Sequence, residues 1–121
     1  MPKTGAAPPR ESALARSALR YLSTQGSHVR VRKVHGSRFS TAGDPDLYGC
    51  CRGRMFVIEL KQAGKQATAK QRHELDGWKA TGAVVGVATT LEEVEAILVP
   101  FGVVTLADWR KMRRGSPVRT R

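Results

Sequence analysis

Several things are scarce in this 121-residue chain, and each scarcity excludes something. No run of about 18 apolar residues occurs, so no membrane-spanning helix is expected. The opening "MPKTGAAPPRES" lacks the apolar centre of an export signal, which points to an intracellular protein. Cysteine is limited to Cys50 and Cys51. Neighbours in sequence cannot close an ordinary disulfide loop, and no C-x-x-C or H-x-x-x-H spacing suggests zinc, so both read as reduced strand residues. Acid is scarce too: 10 Asp and Glu stand against 21 Lys and Arg, giving a formal charge of +11 and a pI near 10.7. Such a surface attracts polyanions across a Debye length of about 8 Å at physiological salt. Nucleic acid is the expected partner; a membrane surface fits less well, because no basic amphipathic helix carries bulky apolar residues. No small-molecule cofactor is expected.

What is present organises into one domain, since a chain of this length can fold around a single core. Residues 1–9, with three Pro and no apolar period, read as a flexible lead-in. Residues 10–109 read as the folded domain, and 110–121, with six Lys or Arg and no acid, as a basic tail that can touch phosphate. Leu14, Ala18 and Leu22 fall at helical spacing before Gly26, predicting a helix over 10–24. "HVRVRKV", 28–34, alternates Val29 and Val31 with Arg30 and Arg32, the pattern of an outer strand with one basic face. A polar loop leads to a strand over 46–51, "CRGR" makes the turn, and 55–62 form a strand apolar on both faces. Thr68-x-x-Gln71 is a capping box that opens a second helix, ended by Gly82. Residues 83–88 are a short strand, and Thr90-x-x-Glu93 opens a third helix, with Glu92, Glu93 and Glu95 in a solvated first turn. Residues 102–105 suggest one more edge strand before the short basic helix "LADWRKMRR". The order αβββαβ, with C-terminal elements, predicts an α/β fold: a central mixed β-sheet flanked by helices, its third and fourth strands parallel and central.

The chemistry concentrates in "GDPDLYGCCRGRMFVIELK", 43–61. Side chains alternate along a strand, so Glu59 and Lys61 leave on one side while Ile58 and Leu60 leave on the other. A turn near Cys51 to Arg54 folds Asp46 back beside them. Two carboxylates a few ångströms apart repel unless a proton or cation lies between them. Mg²⁺, or Mn²⁺, resolves the conflict with Asp46, Glu59, the Leu60 backbone carbonyl, water and a substrate phosphate oxygen as ligands. Lys61 can then position or deprotonate water, or neutralise charge on the transition state. That is the chemistry of phosphodiester hydrolysis.

The set Gly43-Asp44-Pro45-Asp46-Leu47, Glu59-Leu60-Lys61 and Gln71, with Glu11 early on a helix, resembles the VRR-NUC branch of the PD-(D/E)xK nuclease superfamily from about Glu11 to Val94. Asp44 departs from the residue usual before this Pro. The resemblance implies a restriction-endonuclease-like PD-(D/E)xK core, with Asp46 and Glu59 as metal ligands, Lys61 as catalytic lysine, Gln71 as an active-site residue and Glu11 as a further acid and candidate ligand. It also implies a Mg²⁺- or Mn²⁺-dependent DNA endonuclease that leaves 5′-phosphate ends, forms a homodimer and cuts branched DNA such as Holliday junctions.

Each residue has a plainer competing role. Asp46 can make an Asx turn, Glu59 and Lys61 a surface ion pair, Glu11 a helix-dipole contact and Gln71 only a cap. His28, His35 and His73 read as solvent-exposed or phosphate-contacting. Arg30, Arg32, Lys33, Arg38, Lys65 and Lys70 are the candidates for contacting DNA. The competing functions are a non-catalytic basic DNA-binding module and an RNA-directed nuclease.

Overall fold

The computed structural model describes residues 10–34 and 43–115. Helix α1 (Glu11–Ser23) leads into strand β1 (Val29–Lys33), followed by β2 (Leu47–Cys51) and β3 (Arg54–Leu60). Helix α2 (Ala69–Ala80), strand β4 (Val84–Ala88), helix α3 (Leu91–Leu98), a 3-10 turn (Val99–Phe101) and helix α4 (Leu106–Arg113) complete the described chain. The basic segment that starts at residue 110 is therefore helical through Arg113.

The four strands form one mixed sheet in the order β1-β2-β3-β4. β1, β2 and β3 run antiparallel in turn, and β4 lies parallel to β3. The hairpin between β2 and β3 turns on Arg52 and Gly53, both at positive φ (50° and 82°), as a two-residue turn matched to strand twist requires. Alternation decides the faces. Phe56, Ile58 and Leu60 of β3, with Leu47, Cys51, Val29 and Val31, turn toward Leu14, Ala18 and Leu22 of α1 and Val94 and Leu98 of α3. Val57 and Glu59 turn to the opposite face, where α2 packs across β3 and β4.

Two topological expectations are corrected. Residues 102–105 do not form a strand; Gly102 N and Val103 N donate to the Val99 and Leu98 carbonyls, and side chains take up the backbone groups of Val104 and of Leu106 just beyond. Gln25 Oε1 accepts from Val104 N (2.6 Å), the Tyr21 hydroxyl donates to the Val104 carbonyl, and Glu95 Oε2 accepts from Leu106 N (2.7 Å). With no strand beside it, β4 is an edge among the described residues, and the parallel pair is not central. The apolar pattern of "GVV" answers instead to burial of Val103 against the core.

Tyr21 is fully enclosed and meets Trp109 of α4 edge-to-face, with ring centroids 5.3 Å apart. Trp109 Nε1 donates to Thr24 Oγ1 (2.7 Å), which fixes the end of α1 to α4. Burial pushes the Tyr21 hydroxyl far above the ordinary phenol range, so it remains a donor. Glu95 is thus not part of a solvated first turn. Glu93 is, and it accepts from Thr89 N and Thr89 Oγ1 (2.6 and 2.8 Å), bonds that hold its carboxyl below the usual range.

Candidate active site

β2 and β3 pair Leu47 with Ile58, so the residue before Leu47 stands across from the residue after Ile58. This register sets Asp46 against Glu59. Asp46 Oδ2 accepts the Leu60 backbone N–H at 2.7 Å, which pins the carboxylate to the end of β3. Glu59 is 2% exposed. Its Oε2 lies 3.5 Å from Lys61 Nζ, and the lysine side chain is itself only 12% exposed. Lys61 is held in turn by its backbone N–H on the Ala88 carbonyl (2.9 Å). The ion pair is therefore not one between solvated strand ends.

The electrostatics at Glu59 are unusual. Its carboxyl is pushed up to about 7, first by burial, then by the neighbouring Asp46 charge; the Lys61 ammonium pulls the other way and does not prevail. The Asp46 and Glu59 carboxylates lie within hydrogen-bonding reach of each other. Glu59 Oε1 is buried and, among the described residues, has no donor. A buried carboxylate oxygen without a donor is costly. A proton removes the cost at low pH; a cation removes it at higher pH. The arrangement suits a hard divalent ion with oxygen ligands, which commonly takes one or two protein carboxylates and completes its shell with water and phosphate.

The loop before Asp46 is fixed by contact with α2. Gly43 has φ +87°, and a Cβ there would stand 2.8 Å from the Lys70 carbonyl oxygen and 3.2 Å from Gln71 N. Only glycine fits that approach without strain. Gln71 thereby borders the loop that carries Asp46. The capping box is also real: Thr68 Oγ1 accepts from Gln71 N (3.1 Å), and Gln71 Oε1 accepts from Thr68 N (2.8 Å).

Other candidates lie elsewhere. Glu11 is exposed in the first turn of α1. Among the described residues no three His, Cys, Asp or Glu side chains gather as a metal cage. Arg30 and Arg32 are exposed, and alternation puts them on the Glu59 face of the sheet. Lys33 falls on the opposite side, across from Leu47. Lys65 and Lys70 are exposed around the N-terminus of α2, while Arg38 and His35 lie outside the described residues. His28 departs from its expected role: it is half-buried, with Nε2 3.1 Å from the Gly102 carbonyl. His73 is exposed on α2. Cys51 is buried and its thiol donates to the Phe101 carbonyl (3.1 Å), whereas Cys50 is exposed; both are free.

Sequence reasoning did not find the Leu60 N–H bond to Asp46, the depth of Glu59 burial or the seat of Gly43 on α2. A glycine preceding D-P-D was the one available signal for the last of these.

One solved structure, described as a "VRR_NUC domain", superposes with a TM-score of 0.61 at 24% identity, over 78% of this chain and 97% of that one. The chain has the VRR-NUC fold. A second structure, a "VRR_NUC domain protein", matches with the same TM-score at 15% identity, over 85% of this chain and 93% of that one. No protein-family model and no curated protein sequence matches the chain. The candidate site on this fold comprises two carboxylates from a β-hairpin, a lysine paired to one of them, and the first turn of α2 alongside. No described helix is long and apolar enough to cross a membrane.

Proposed function

We propose that this protein is a divalent-metal-dependent DNA endonuclease. One observation carries the reading: Glu59, buried beside Asp46 and paired with Lys61, keeps an oxygen, Oε1, that no donor among the described residues satisfies. A purely structural carboxylate at that depth would be expected to have its lone pairs matched. The VRR-NUC fold of the two solved structures supports the same reading.

Asp46 and Glu59 would hold Mg²⁺ or Mn²⁺, with the Leu60 backbone carbonyl as a third protein oxygen. When bound, such an ion polarises the phosphoryl group and activates water. The chain's own residues set the stage for this. The Leu60 N–H orients Asp46, the Ala88 carbonyl anchors the Lys61 backbone, and Lys61 Nζ supplies positive charge where a phosphate ester builds up negative charge. Gln71, at the mouth of the Gly43–Asp46 loop, orients substrate or water. The net charge of +11 brings DNA to the surface.

For the substrate, the reading is branched DNA such as a four-way junction, cut by a homodimer. One domain supplies one site, and paired cuts in two strands need two sites related by a two-fold axis. The test incubates the purified protein with single-stranded, duplex, flap and four-way DNA, and with RNA, in Mg²⁺, Mn²⁺ or EDTA. Cleavage is expected with either metal and none in EDTA, and it should be lost in Asp46→Ala and Lys61→Ala. Undiminished cleavage by those variants refutes the site. Metal-independent binding with no cleavage of any substrate leaves a DNA-binding module.

A further inference from the structure

Beyond the carboxylates, α2 packs on β3 and β4 of the Glu59 sheet face and, among the described residues, leaves its β1–β2 half uncovered. At its middle stands Tyr48, 42% exposed, an unusual degree for a large aromatic on a strand. The ladder places Arg32 directly across from Tyr48, with Arg30 across from Cys50 one alternation further along. Among the described residues no carboxylate pairs with either guanidinium. Tyr48, with Met55, borders two cavities. One, of about 320 Å³, is bordered by Arg30, Arg32 and Cys50; the other, of about 240 Å³, by Asp44, Pro45, Val57 and Trp78, so the positive charge lies on the first side.

We propose that Tyr48 is a stacking platform for an unpaired nucleobase of the DNA strand whose phosphates are gripped by Arg30 and Arg32, adjacent to the Asp46 and Glu59 site. The inference rests on the nuclease reading for its substrate, and among branched DNAs it favours those that present an unpaired base at the site, as a flap does or a junction opened at its crossover. Three features of this face support it. An exposed aromatic face flanked by two guanidinium groups that no described carboxylate neutralises, Arg32 donating only to the Val31 carbonyl (3.0 Å), suits a base and its phosphates, since every base has a π-face and stacking tolerates any sequence. Charge complementarity excludes a cationic partner. Spacing agrees as well: residues 46 and 48 lie on one face of a strand line, two residues or about 7 Å apart, close to one nucleotide step of an extended strand. A duplex, whose bases are already stacked, has none to offer Tyr48.

The test reads binding in EDTA, so it does not depend on cleavage. The affinities of a single-stranded oligonucleotide and of a duplex of equal length are compared for the wild type, Tyr48→Phe and Tyr48→Leu. Leucine retains apolar bulk against Val57 and Trp78 without a π-face. Tyr48→Leu is expected to lower the single-strand to duplex affinity ratio roughly tenfold, and Tyr48→Phe to preserve it. A second readout uses Cys50, the exposed one of the two thiols and a neighbour of Tyr48 on this face. Its alkylation should slow when single-stranded DNA is bound. A ratio unchanged in Tyr48→Leu, or Cys50 labelling indifferent to single-stranded DNA, overturns the platform. So does Cys50 protection that grows with protein concentration in the absence of DNA, because a second copy would then cover the face. Loss of the ratio alongside absent cleavage would leave the platform standing and sink the nuclease reading instead.

Discussion

Replacing Glu59 by Gln tests the electrostatic account of the site without any substrate. In the folded chain this carboxyl titrates near 7 instead of near 4.5. The folded state therefore binds a proton between those values that the unfolded state has released, and stability must fall as pH rises through that window. At about 1.4 kcal/mol for each tenfold displacement of a proton equilibrium, the metal-free protein should lose about 3 kcal/mol of stability between pH 4.5 and pH 7 from this one group. For a domain of this size that corresponds to a drop in Tm on the order of 10 °C. Glu59→Gln is isosteric, remains neutral, and can donate to Asp46. The assay is thermal unfolding in EDTA at a series of pH values, taking the difference between wild type and variant so that every other titrating group cancels. The variant should match the wild type near pH 4.5 and become progressively more stable than it up to neutrality and beyond. Added Mg²⁺ should then raise the Tm of the wild type above pH 7 and leave the variant nearly unmoved. Parallel pH curves would refute the claim that Glu59 is buried against Asp46 without a compensating donor. Equal Mg²⁺ responses would refute its part in holding the ion.

Three further changes probe the frame of the site. Gly43→Ala places a side chain at φ +87°, 2.8 Å from the Lys70 carbonyl; the strain of about 1–2 kcal/mol should move the Asp46 loop, so cleavage should fall far more than Tm. Gln71→Glu keeps a capping-box residue at that position while replacing the amide, so Tm should hold while cleavage drops; cleavage that holds as well would confine Gln71 to the cap seen with Thr68. Tyr21→Phe removes the donor to the Val104 carbonyl while leaving the ring against Trp109, and should cost about 1–2 kcal/mol in chemical denaturation with no change in the pH dependence described above.

The hairpin shows how much of the site was legible in order of residues alone. Alternation along "FVIELK" put Glu59 and Lys61 on one side, the tight turn at Arg52-Gly53 folded Asp46 against them, and Thr68-x-x-Gln71 announced the start of α2; all of these are local geometry with fixed periods. The segment 102–105 was misread for the complementary reason. Its apolar pattern fits a strand, but its side-chain partners are Tyr21, Gln25 and His28, far away in sequence and invisible to any period. His28 and Glu95 went astray in the same way, each taken as a solvated polar residue and each found bonded to a backbone group from a distant element.

The sequence by itself determined the strand alternation, the hairpin turn, the helix starts and the net positive charge, because each depends on neighbours within a few residues or on simple counting. Tertiary structure alone decided that Glu59 is buried with one oxygen unmatched, that Gly43 is seated on α2 and that Tyr48 remains in the open. Desolvation and close approach are properties of what packs around an atom, and elements distant along the chain supply that packing.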